Sequence, residues 1–248
     1  DGDTVSLTIT ASENIQQPVC TFASGGAAMA NTVSYSGSGT GWVASLTVAD
    51  GDTNGDVTFS CAFSDVAGNA GTPDTTPNSG DIEVENTHPT VSSFSFNDVA
   101  MKAGDTPTLT LTFNEAVVGF ASADDVTCPS GSLAAMSSAN GGVTWTGTFT
   151  PTANTEDASN VCSLATSYTD ANGNTGPAAQ TANYEVETQA PVVNSITMGD
   201  TAFKDGDTAT LTIVFSETVA GFASDDDVTC TSGTLAAMTN SGATWTGT

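Results

Sequence analysis

The chain of 248 residues carries 28 acidic side chains against two lysines, Lys102 and Lys204, and has no arginine. Its formal charge of −26 excludes binding to nucleic acid or to an anionic membrane surface, because both need cations. The hydrophobic fraction of 38% falls in short alternating runs, and no stretch approaches the roughly 20 apolar residues of a membrane-spanning helix, so membrane insertion is excluded too.

Taken in chain order, the readable elements are all strands. Val5, Leu7 and Ile9 alternate with polar residues, and Leu109, Leu111 and Phe113 do the same between Thr108, Thr110 and Thr112. Leu211, Ile213 and Phe215 follow that pattern again. Alternation with a period of two marks a strand buried on one face. Within residues 90–191, strands are expected at Val91–Phe96, at 108–114, after Val117, and at 143–150, 161–169 and 182–187, separated by Gly, Asn, Asp and Pro clusters. No window carries a helical stripe, so no helix is expected.

The chain also repeats itself. Residues 104–136 align without gaps to 206–238, with 24 of 33 positions identical, and the offset is 102 residues. The same offset places Glu83-Val-Glu-Asn-Thr-His-Pro89 on Glu185-Val-Glu-Thr-Gln-Ala-Pro191. A sustained period of this kind is the signature of a tandem array. The expected units are 1–89, lacking its first strand, 90–191, complete, and 192–248, an N-terminal half. On this reading the chain is a window cut from a longer array. About seven short strands in roughly 100 residues fits an immunoglobulin-like sandwich, so the fold class expected is all-β, with tandem immunoglobulin-like β-sandwiches in a linear array.

The strings GDTATLTIVFSETVAGF, GGVTWTGTFTPTANTEDASNV and SYTDANGNTGPA, closed by VETQAP, resemble the bacterial Ig-like repeats of very large secreted adhesins and biofilm-matrix proteins. The resemblance covers essentially the whole chain. It implies extracellular spacer modules at a bacterial cell surface, often stiffened by Ca²⁺ at their junctions.

Five cysteines without C-x-x-C or Cys/His spacing read as a disulfide framework. The strand after the first acidic loop runs away from that end of the sandwich and a later strand runs back. Cys20 therefore faces Cys61, and Cys128 faces Cys162, each bridge staying inside its repeat. Cys230 occupies the Cys128 position, and its partner is expected beyond Thr248. Such bridges imply an oxidising compartment.

The acidic residues recur at strand ends. Glu13, Glu115 and Glu217 each close the second strand of a repeat, and Asp65 with Asn69 and Asp170 with Asn174 frame turns of the form Asp-x-x-Gly-Asn. In a sandwich these loops share the end that receives a linker, and the linker into the second repeat carries Glu85 and Asn86. Hard oxygens gathered in this way suit Ca²⁺ as a structural cofactor, with Asn172 adding backbone carbonyls. Glu187 and Glu217 would serve the next junction, with Asp98, Asp105 and Asp200 as looser candidates.

Catalysis finds no support. His88 is the only histidine, lies beside Pro89 in a linker, and is read as incidental. Trp42, Trp145 and Trp245 occupy one recurrent strand position and are expected in the core, while Tyr35, Phe94 and Phe96 have no clear burial. The sequence therefore points to a non-enzymatic spacer in an adhesin or matrix fibre, whose partners are neighbouring repeats and identical chains in a fibre. The alternatives are a self-assembling filament subunit and a carbohydrate- or protein-binding module of a secreted multidomain protein.

Overall fold

In the computed structural model, residues 2–77 and 80–248 are described, and they are nearly all β. In the first repeat one sheet joins Thr4–Thr10, Gly41–Thr47 and Ser34–Ser38, and a second joins Ala27–Ala28, Val19–Ser24, Gly55–Ala62 and Glu83–Val84. Val5, Phe22, Ala44, Leu46 and Val84 are buried between them.

The second repeat is a larger sandwich. Val91–Phe96, Thr108–Phe113, Thr144–Pro151 and Gly131–Leu133, with Ser137–Ser138 also on Thr144–Pro151, form one sheet, and Thr108–Phe113 is one of its two inner strands. Its burial alternates residue by residue, so Leu109, Leu111 and Phe113 are sealed while the intervening threonines are half exposed. The opposite face is built from two smaller sheets, one of Val126–Thr127, Ser163–Leu164 and Ala179–Gln180, the other of Glu156–Asn160, Tyr184–Glu187 and Ala100–Lys102. Tyr168, Tyr184, Phe149 and Met101 fill the space between the faces. Phe94 and Phe96 belong to this core, and Phe96 meets Phe149 and Tyr184 edge-on. The tyrosine hydroxyls reach out of it to the carbonyls of Pro177 and Pro129.

In residues 192–248 a single sheet of Val193–Met198, Leu211–Phe215, Thr244–Gly247 and Thr239–Ser241 covers a small cluster of Leu211, Ile213 and Met238. Ile196 is 62% exposed there, whereas Phe94, its counterpart 102 residues earlier, is 8% exposed because a second face packs on it.

Three expectations are corrected. The chain does contain helix: Ser122–Asp125 and Ser224–Asp227 each form one turn, the first of them where the strand after Val117 was expected. The carboxylates of Asp125 and Asp227 accept the N–H of Ala121 and Ala223 and close these turns, which are too short to show a period. Beyond the first turn only Val126–Thr127 remains extended. Of the strand expected over 161–169 only Ser163–Leu164 forms, preceded by Glu156–Asn160, which belongs to the other small sheet. The buried Asn160 side chain, donating to the carbonyls of Asp157 and Tyr184, replaces the ladder at that point.

Both expected disulfides are formed, Cys20–Cys61 and Cys128–Cys162. Cys20 and Cys61 are direct antiparallel partners, and Cys128 and Cys162 extend the Val126–Thr127 and Ser163–Leu164 ladder by one step. Cys230 is exposed and unbridged.

Trp145 and Trp245 pack partly on the cores against Phe120 and Phe222, and Trp42 holds the same register on its neighbouring strand. Tyr35 packs against the first core, its hydroxyl accepting the N–H of Cys20 and donating to its carbonyl.

Candidate functional site at the repeat junction

The polar cluster between the first and second repeats is built on a turn that occurs twice. In Asp170–Asn174 the carboxylate Oδ1 accepts the N–H of Asn172 and of Asn174, and Asp170 N–H donates to the Asn174 carbonyl. Gly173 takes φ of 95°, a left-handed conformation that a side chain resists. The loop is held down at Gly176, where a Cβ would lie 2.0 Å from the Tyr168 ring. In the first repeat Asp65–Asn69 reproduces this turn, with Gly68 at 95° and Gly71 under Phe63.

Onto the second-repeat turn the linker lays Glu85. Its Oε1 accepts the Thr87 N–H at 2.7 Å and the Asn54 amide at 3.1 Å, which fixes the side chain as a hook. Its Oε2 accepts the amides of Asn174 at 2.8 Å and Asn172 at 3.1 Å. Asn174 Nδ2 has four oxygens around it: Glu85 Oε2, Asp170 Oδ2 at 2.9 Å, the Glu85 carbonyl at 3.1 Å and the Thr87 carbonyl at 3.5 Å. Two amide protons cannot satisfy four acceptors. The Asn174 Oδ1 is buried with no partner at all, and so is Asn86 Oδ1.

Thr87 lowers the Glu85 pKa most, burial opposes it, and Asn172 adds to the lowering despite the nearby Asp170 charge. For Asp170 burial is the largest influence and raises the pKa, yet the bonds from Asn174, Asn172 and Gly173 outweigh it and keep the carboxyl below its ordinary range.

The expected ligands are brought together only in part. Glu85, Asp170, Asn172 and Asn174 converge. Asn86 turns the other way, donating to the carbonyls of Ala49 and Asp52 in the first repeat. Glu115 is half-buried and accepts only from its neighbour Asn114. Glu187 accepts the Gln189 N–H at 2.8 Å, a hook like that of Glu85, and Glu217 is half-buried beside its strand end. Glu13 is exposed, and Asp65 and Asn69 bond to each other in the first-repeat turn. Asp98, Asp105 and Asp200 cap local turns. Among the described residues, no three His, Cys, Asp or Glu side chains gather closely enough to hold a metal without amide and carbonyl oxygens.

His88 is not incidental. Its Nδ1 lies 2.8 Å from the Thr175 carbonyl in the second repeat, and its Nε2 lies 3.1 Å from Asp50 in the first. Sequence reading also missed Asn54, which ties the linker from the first repeat through Glu85, Thr87 and Asn86. Asn114 was missed as well; its Oδ1 accepts Thr90 N–H at 2.6 Å, and Ser216 does the same for Val192 at the next junction. The recurrence of a small polar residue just before each strand-end glutamate was the available signal for the last two. Asn54 had none, since its partners lie more than 30 residues away.

The family description "Bacterial Ig-like domain" matches residues 85–186 and again 187–248. The chain belongs to this family of bacterial Ig-like domains. No curated protein matches it. Among solved structures it is similar to the titin I-band fragment I67–I69, at 11% identity and a TM-score of 0.45 over 99% of this chain and 82% of that one. It is similar also to the titin I9–I11 tandem, at 7% identity and 0.39 over 100% and 83%. SGBP-B of the Bacteroides ovatus mixed-linkage glucan utilization locus, solved in complex with a mixed-linkage heptasaccharide, is similar at 15% identity and a TM-score of 0.21 over 83% of this chain and 48% of that one. At these values the likenesses concern the fold alone.

Proposed function

We propose that these repeats are a structural region of an extracellular bacterial adhesin or matrix fibre, acting as a spacer whose junctions are stiffened by Ca²⁺. As tandem Ig-like domains the chain is a structural or binding module of a multidomain protein. Two disulfides favour an oxidising, extracellular or cell-surface location. Among the described residues no helix is long and apolar enough to cross a membrane.

The observation that carries the calcium reading is the oxygen cage around Asn174. Four oxygens crowd one amide nitrogen, while the oxygen of the same amide is buried without a donor. A half-turn of that amide aims Oδ1 at the carboxylates, an arrangement that is stable only with a cation between them. Glu85, Asp170, Asn174 and the Glu85 and Thr87 carbonyls would then be ligands, with water completing the 6–8 oxygens Ca²⁺ prefers. The ion would cross-link the linker to the second repeat. The chain's own part is to position the hook through Asn54 and Thr87 and the turn through Gly173.

Small-angle scattering with and without chelator tests this. Millimolar Ca²⁺, about the affinity of extracellular modules, is expected to lengthen the maximum dimension and narrow its distribution, and Asp170→Ala to abolish the response. No change on adding the ion would refute the calcium reading.

A further inference from the structure

The Glu85 carboxylate can only accept hydrogen bonds, so its hold on both repeats depends on the amides that donate to it. Asn54 Nδ2 donates to Oε1 at 3.1 Å from the first repeat, and Asn172 Nδ2 donates to Oε2 at 3.1 Å from the second. The sequence contains three Asn-Gly pairs, at 54–55, 140–141 and 172–173, and two of the three supply these donors. Asn-Gly is chemically the least stable setting for an asparagine, because glycine has no Cβ to keep its backbone nitrogen away from the preceding side chain. The remaining side-chain amide on Glu85 is shielded by contrast: Asn174 is buried, and the β-branched Thr175 follows it.

We infer that Asn172 and Asn54 are sites of spontaneous deamidation, and that their conversion releases the linker hook. In this step the Gly173 nitrogen loses its proton to solvent base and bonds to Asn172 Cγ. The Cγ–Nδ2 bond breaks and ammonia leaves. Water then opens the five-membered imide at either carbonyl, giving aspartate or isoaspartate. One water is consumed and one ammonia released, with no change of oxidation state. Asn172 is well placed for it. The residue is exposed, and among the described residues its side chain makes one hydrogen bond, to Glu85. Gly173 N–H reaches the Asp170 carbonyl only at 3.4 Å, the weak end of hydrogen-bond length, so the attacking nitrogen is little restrained. Asn54 should follow more slowly. Its side chain bonds to Glu85, Thr87 and Asn86, and Gly55 is paired with Val84 in a ladder. Either conversion replaces a donor by a carboxylate, which cannot donate to Glu85 and repels it. Isoaspartate at 172 also lengthens the backbone of the Asp170–Asn174 turn by one carbon.

Ageing the full chain in mildly alkaline buffer with chelator tests this, since the inference rests on the junction bonds and not on a bound cation. Peptide mapping by mass spectrometry should find a gain of about 1 Da, with isoaspartate, at residue 172 first and at 54 later. Hydrogen exchange reads the consequence at Thr87, whose N–H donates to Glu85 Oε1. In the fresh chain, Asn172→Asp should speed Thr87 exchange by about 10-fold or more, the worth of one hydrogen bond to a carboxylate. Asn140→Asp should leave it unchanged, because the Asn140 bonds stay within their own hairpin, to Ser138 and Thr144. Asn172→Gln keeps a donor and closes the larger ring far more slowly, so it should delay the rise on ageing. Asn172 still intact when Asn140 has converted overturns the inference. So does Thr87 exchange that Asn172→Asp does not move. Neither result bears on the calcium response in scattering, which stands or falls separately.

Discussion

His88 joins two repeats through oxygens that can only accept, a backbone carbonyl and a carboxylate. The ring satisfies both only when both nitrogens carry protons. Its pKa is accordingly raised above 6.5, first by the Thr175 carbonyl, then by Asp50, with burial opposing and the charges of Asp50 and Asp170 assisting. A raised pKa means that the contribution is fully present below the unfolded value and is lost as pH rises through the folded one. Glu85 and Asp170 behave oppositely, since their lowered values keep their contribution above the ordinary carboxylate range and lose it as pH falls. The first junction should therefore be stiffest in mildly acidic solution, between the carboxylate range and about pH 6.5. Residual dipolar couplings at pH 6 and pH 9 should show more inter-repeat motion at the higher pH, and His88→Ala should flatten the difference. Equal motion in the wild-type chain at both would exclude the histidine from the latch. A second residue-scale expectation concerns Gly176. Its added Cβ would overlap the sealed Tyr168 ring at 2.0 Å, so Gly176→Ala should cost about 1–3 kcal/mol. Calorimetry would show this as a lower melting temperature in the second repeat alone.

At the scale of elements, the strands divide into those written locally and those decided elsewhere. Thr108–Phe113 and Val91–Phe96 were legible because each has one buried face, and the period of two is then forced on the sequence. The Ser122–Asp125 turn was not legible, since it depends on a buried Asp125 that also receives Ser167 from another loop. The cysteine pairs were legible from strand direction, because facing positions in an antiparallel ladder must move together. Each bridge spans 41 or 34 residues, and closing such a loop stabilises a domain by about 3–4 kcal/mol in the chain-entropy account. Verified reduction should lower each transition by roughly 10 °C or more, and an unchanged transition would show the bridges to be dispensable.

At the scale of the molecule, 28 acidic side chains against two basic ones leave the repeats repelling one another. Salt and the proposed calcium would relieve this differently. Monovalent salt screens beyond about 8 Å at physiological strength and should soften the repulsion without fixing an angle. An ion bound at Glu85 and Asp170 should fix the angle, so the stiffening expected in scattering should appear with Ca²⁺ and not with an equal ionic strength of NaCl. Stiffening by both alike would assign it to screening.

The sequence by itself determined the all-β class, the 102-residue offset, the disulfide partners and the acid-bearing turns, because each is imposed by spacing along one chain. Only the tertiary structure decided which acids meet. Glu115 and Asn86, similar on paper to Glu85, bond to Asn114 and to first-repeat carbonyls instead of the Asp170–Asn174 turn, whereas Asn54 holds Glu85 and Thr87 of the linker and His88 meets the Thr175 carbonyl beside the turn. That choice depends on how two sandwiches approach across a few linker residues, where one bond from Asn54 or Asn174 redirects a side chain and no periodicity records it.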